Sequence, residues 1–246
     1  MKKIAVLMMM LAGFISVHAQ TVDEIINKYI DAMGGKDKLA SIKNIYMEGT
    51  SVMQNGAEIT QKIWKVDGKL MRREVSSSMF NMISVVTDKE GWNQSQRTNG
   101  NFEPMTAEMV TSMQSETDCA GPLFNYAAKG HKVELIGKED VEGTAYWKIK
   151  LTLKTGRDIT YYINPTTFYI DRLVTTGGGM GGGRGGAQGG APRETKIDFS
   201  EYKKTDDGYV FAFKNTVVGM GGGLFFEKIE VNKAVDPKAF KPEVIQ

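Results

Sequence analysis

The chain has 246 residues, with 31 basic against 29 acidic side chains, 41% hydrophobic residues, 28 glycines and one cysteine. Near-neutral charge gives no sign of the basic stripe of a nucleic-acid binder, and a lone cysteine, Cys119, excludes an intramolecular disulfide framework. The length past the leader suffices for one large domain held by packing alone.

Residues 1–19 read as a secretory signal: Lys2 and Lys3 open it, an apolar run from Ile4 to Val17 follows, and Val17-His18-Ala19 has the small-x-small form of a cleavage site. Cleavage after Ala19 is expected, leaving Gln20 first. The run is too short for a transmembrane anchor, and no cysteine follows it to carry a lipid, so the expected product is soluble and periplasmic. Removing Lys2 and Lys3 brings the formal charge to zero.

Thr21 to Asn44 is the one strongly helical stretch before a long series of strands. Val22, Ile25, Ile26, Tyr29, Ile30 and Met33 recur at helical spacing as one apolar stripe. Thr21 and Glu24 have capping-box spacing, and Gly34-Gly35 supplies a left-handed stop. A short helical piece over Asp37 to Ile42 is expected next. Such a stripe must lie on something apolar, and nearly all of the chain beyond it is β-prone.

From Ile45 the chain alternates β-prone runs with turn signals, the pattern of an antiparallel meander. Strands are expected over Ile45 to Gln54, Ala57 to Val66, Lys69 to Ser76, Met79 to Thr87 and Trp92 to Arg97, with Asn55-Gly56 the strongest hairpin signal. Pro104 to Ala128 interrupts them. Met105, Met109 and Met113 at spacing four, beside Val110, predict one or two helices here, the second around Leu123 to Ala128. These methionines either fill gaps in a core or line an adaptable apolar pocket.

Strands resume over His131 to Gly137, Thr144 to Leu153, Asp158 to Ile163, Thr167 to Thr175, Arg193 to Lys204, Tyr209 to Val217 and Leu224 to Asn232. Trp147, Ile149, Leu151 and Leu153 alternate with Lys148, Lys150 and Thr152, which gives that strand one buried and one wet face. The tail from Val235, with Pro237 and Pro242, reads as a terminal strap. The glycine run 177–191 contains Gly177, Gly179 and Gly182 at dinucleotide-loop spacing, but neither follows a buried parallel strand nor opens a helix, so it is expected to be a flexible loop.

No catalytic constellation emerges. His131 is the only histidine past the leader, and hydrolase elbows, zinc-binding helices and paired-cysteine spacings are absent, so neither an enzyme nor a cofactor or metal is expected.

The stretches DEIINKYIDAMGGKDKL, IKNIYMEGT and GHKVELIGKEDVEGTAYWKIKLT, with the closing EKIEVN and DPKAF, resemble the outer membrane lipoprotein-sorting protein family, which is similar to the periplasmic carriers LolA and LolB. The resemblance spans residues 20–246 as a single domain. It implies a mainly β, α+β fold: a strongly curved antiparallel sheet forming an open half-barrel, covered by the N-terminal helix and the mid-chain helical insertion, whose inner face takes acyl chains of lipoprotein or lipid. Candidate cavity residues are Trp147, Ile149 and Leu151 from the cleanest alternating strand, with Ile63, Met71, Trp92, Phe211, Phe213 and Phe225 from others. The expected function is carriage or binding of lipid or lipidated cargo. The alternative is an envelope interaction protein whose core is filled by its own side chains.

Overall fold

The computed structural model describes residues 20–53, 56–176, 194–219, 222–236 and 239; the expected signal at 1–19 and the glycine run 177–191 lie outside the described residues. Helix α1 (Val22–Ala32) opens with the expected capping box: the Glu24 N–H donates to Thr21 Oγ1 at 3.2 Å, and the Thr21 N–H donates to Glu24 Oε2 at 3.0 Å. Its stripe buries Ile25, Ile26, Tyr29 and Ile30, and Gly34 at φ 108° ends it. A second short helix, α2 (Lys36–Ala40), leads into the sheet.

Strands β1 (Asn44–Val52), β2 (Glu58–Val66), β3 (Leu70–Ser77), β4 (Asn81–Thr87), β5 (Gly91–Ser95) and β6 (Phe102–Pro104) make the first meander. Helix α3 (Ala107–Met113) and a 3-10 turn (Gln114–Thr117) follow. The second meander is β7 (Lys132–Val141), β8 (Thr144–Thr152), β9 (Asp158–Ile163), β10 (Ile170–Thr176), β11 (Glu194–Lys204), β12 (Val210–Val217) and β13 (Leu224–Val231).

All these strands form one antiparallel sheet, in the order β6-β5-β4-β3-β2-β1-β13-β12-β11-β10-β9-β8-β7. The first and last strands pair at the centre, while β6 and β7, consecutive in sequence, are the two outer edges. The sheet therefore stays open, and residues 105–131 must travel from one edge to the other. Register shifts at Glu48/Gly49, Leu135/Gly137 and Ile170/Arg172 bend it into a half-barrel. At Gly49 a Cβ would stand 2.3 Å from the Phe225 carbonyl oxygen, so the central β1–β13 pairing requires glycine there.

Three sequence expectations are corrected. Leu123 to Ala128 forms consecutive turns instead of a helix, because Gly121 at φ 80° and Asn125 at φ 51° break the right-handed path. Pro104 ends a strand, and α3 begins three residues later behind Thr106, whose Oγ1 accepts from the Met109 N–H at 3.3 Å. β10 starts at Ile170, since Asn164 Oδ1 accepts from the Thr166 and Thr167 N–H groups and holds a turn.

Candidate functional site

Pairing register sorts side chains onto two faces of the sheet. The inner face carries Ile45 and Met47 on β1, Ile63 on β2, Met71 on β3 and Val86 on β4. On the other half it carries Leu151, Ile149 and Trp147 of β8, opposite Ile159, Tyr161 and Ile163 of β9. Leu151, Ile149, Ile163 and Met71 are all completely buried.

Two separate covers close this face. Helix α1 seats its four buried side chains in the large cluster that includes Ile149, Leu151, Tyr161 and Val231, with Trp147 and Phe211 packed beside it. Leu123, Phe124 and Cys119 join that cluster from the insertion. Over the first half, Val110 of α3 sits on Met71 and Val86, flanked by Met105 and Met113. Met109 points outward and is 43% exposed, so the spacing-four methionine stripe is split between core and solvent.

Polar contacts also fasten the insertion. The Arg73 guanidinium on β3 meets Glu116 at 2.7 Å, and the carboxylate side chain is only 6% exposed. Arg73 Nε is buried without a hydrogen-bond partner, so the guanidinium is incompletely satisfied. Further ties run from the Gly68 N–H to the Thr117 carbonyl, from the Cys119 N–H to Asp67 Oδ1, from Gln114 to the Asp88 carbonyl and from Arg157 to the Ser112 carbonyl. Tyr126 donates to Asp23 at 2.7 Å and joins the two covers.

Electrostatics here protect the apolar interior. Burial pushes the Tyr29 and Tyr161 phenols upward and the Cys119 thiol up to about 12, so all three stay neutral. Burial, then the Lys129 charge, lowers His131, whose Nδ1 accepts from the Lys154 N–H at 3.1 Å. On the outer face Lys148 pairs with Glu139 at 2.6 Å and Lys150 with Asp158 at 2.9 Å. Among the described residues no group of histidine, cysteine and carboxylate side chains is placed to hold a metal ion.

Of the candidate cavity residues, Ile63, Met71, Trp147, Ile149, Leu151, Phe211 and Phe213 share the inner face by register. Trp92 lies on the opposite face, where it joins Leu70 and Val85 beneath Val235 and Ala239 of the tail. Phe225 also faces outward, opposite Thr50 and Lys214, and is 42% exposed. Sequence reasoning did not place Tyr161 or Val86 in the cavity. Both lie one strand from a named residue, so a register for the whole sheet was the missing signal. Two grooves lie elsewhere: one of about 660 Å³ includes Glu74, Met82 and Gln94, and one of about 600 Å³ includes Tyr146, Tyr162 and Tyr202.

Solved structures share this architecture. A LolA superfamily protein from Nitrosomonas europaea aligns over 91% of this chain and 98% of its own, with a TM-score of 0.55 at 10% identity. This chain shares its fold with that LolA superfamily protein. A family DUF1329 protein from Desulfovibrio piger aligns over 93% of this chain and 100% of its own (TM-score 0.56, 11% identity). A structure described as an outer membrane lipoprotein-sorting protein domain, from Vibrio parahaemolyticus, aligns over 88% and 94% (TM-score 0.50, 10% identity). No family model matches the sequence, and no curated relative matches it. Among the described residues no helix of this LolA-like half-barrel is long and apolar enough to cross a membrane.

Proposed function

We propose that the protein is a periplasmic carrier or binder of lipid or lipidated cargo, which holds acyl chains against the inner face once the insertion swings aside. The observation that carries this reading is the inequality of the two covers. Helix α1 buries four large side chains, whereas α3 buries Val110 alone. At roughly 1.5–3 kcal/mol for each large apolar side chain buried, α1 is held several-fold more strongly by packing than α3. The α3 part of the insertion is therefore the cover that opens first, while Leu123 and Phe124 hold the rest of the insertion in the large cluster, and opening α3 exposes Met71 and Val86.

An acyl chain can replace what that movement uncovers, at about 0.8 kcal/mol per methylene buried, without any catalytic group. The reading includes no chemical step. The description of the Vibrio structure as a lipoprotein-sorting domain supports acylated protein as one cargo class. A second reading, an interaction protein with a permanently self-filled core, is favoured by the complete burial of Ile149, Leu151 and Met71 in the closed form. Native mass spectrometry of gently purified protein separates the two. A co-purifying mass in the lipid range supports the carrier; a bare chain, both from the cell and after incubation with phospholipid, supports the self-filled core.

A further inference from the structure

The strand order assigns the turns among the described residues to two rims. One rim holds the turns β1–β2, β3–β4, β5–β6, β8–β9 and β12–β13; the other holds β2–β3, β4–β5, β7–β8, β9–β10 and β11–β12. These rims differ in chemistry. The second carries Asp67, Asp88, Glu90, Glu142, Asp206 and Asp207 in its turns, against Lys69 and Lys89, with Lys233 paired to Asp207 at 3.6 Å. The described turn residues of the first contain no acid, and Arg97 and Lys154 stand exposed in its outlying turns. Behind it, Asp158 and Glu194 are paired with Lys150 and Lys196, and Glu58 opens β2.

The same rim collects most of the large exposed apolar side chains among the described residues. Val52 and Met53 stand at the β1–β2 turn, Met79 at β3–β4 and Val218 at β12–β13, while Met82 and Phe225 are the second residues of β4 and β13 behind those turns, each 39–54% exposed. These three turns are consecutive along the sheet. From β4 to β12 is five strand spacings of about 4.8 Å, so the apolar row is about 24 Å long. Arg97 lies beyond one end of it and Lys154 beyond the other.

We propose that this rim docks the protein on an anionic lipid surface. Apolar tips projecting from successive turns suit partial insertion among headgroups, and basic side chains beyond both ends of the row suit the phosphates in the same plane. The acidic turns on the opposite rim turn the molecule so that the apolar row approaches first. A protein partner would need complementary relief along a row of separate tips, whereas a fluid interface needs none. The proposal does not rest on the acyl-carrier reading, because it concerns the rim and not the inner face.

Co-flotation of the protein, as processed from the full chain by its host, tests it. The vesicles are equal parts phosphatidylglycerol and phosphatidylethanolamine, with pure phosphatidylcholine as the comparison, and intact mass identifies any retained leader. The protein should float with the anionic vesicles and be released by salt. Met53→Asp, Met79→Asp and the pair Arg97→Glu with Lys154→Glu should each weaken partition by about tenfold. Met109→Asp and Ile136→Asp, which alter exposed apolar residues away from the rim, should float like the parent. Circular dichroism confirms that each variant is folded. A folded parent that stays in the soluble fraction with anionic vesicles, including one that instead captures a protein through this rim, overturns the proposal. So do rim variants that float unchanged. A parent that floats but takes up no acyl probe upholds the rim and counts against the carrier.

Discussion

Glu116→Gln should loosen the insertion without touching the face beneath it. The native carboxylate is almost fully covered and meets Arg73 at 2.7 Å. Removing one member of a buried ion pair costs about 3–5 kcal/mol, and an amide that still accepts one hydrogen bond recovers part of that, leaving about 2 kcal/mol. If the closed form dominates, that loss moves the opening equilibrium by about thirtyfold, and apparent affinity for a ligand of the open form rises equally, until the open form predominates. Cys119 reports the same event independently. It lies in the insertion, buried among apolar side chains with its thiol pushed up to about 12, so alkylation must wait for opening. Stopped-flow thiol labelling and titration with a fluorescent fatty acid should therefore both shift by about thirtyfold in the variant. A variant that melts at lower temperature while labelling rate and probe affinity stay at the parent values would refute the gating argument.

Met71→Asp, on the face that α3 covers, should abolish acyl binding, whereas Lys150→Glu, on the outer face of the sheet, should leave it nearly unchanged in the same titration. Gly49→Ala should cost roughly 1–3 kcal/mol in urea unfolding, because its Cβ meets the Phe225 carbonyl oxygen at the central strand pair. His131 should make stability depend on pH. Its folded-state pKa is below the ordinary value, so its contribution is full above about 6.5 and is lost as pH falls through the folded value. Melting temperature should decline on that acid side, and His131→Asn should flatten the decline.

The meander was legible because its turns are. Asp67-Gly68, Glu142-Gly143 and Asp207-Gly208 each lie between strands that pair in the fold, and Trp147 to Leu153 alternates cleanly enough to set its own phase. β6 was missed because three residues ending in proline carry no periodicity. Trp92 and Phe225 show where local pattern runs out. Gly91 to Ser95 has one large apolar residue and no second to fix the phase, while Leu224, Phe225 and Phe226 are apolar in succession, so neither parity is favoured. The register that turns Phe225 outward depends on the Glu48/Gly49 bulge in a partner strand nearly the whole chain away. Arg73 and Glu116 are likewise joined by tertiary structure across 43 residues, a spacing that no helix or hairpin rule relates.

The central claim is that an apolar face, closed in this structure, opens to hold an acyl chain. Equilibrium titration of the folded parent and of Glu116→Gln with a fluorescent fatty acid tests it most directly. Saturable binding by both is expected, tighter in the variant and absent when Met71→Asp, on the face that α3 uncovers, is added. Absence of saturable uptake by either folded protein would contradict it and leave the inner face as a core for the protein's own side chains.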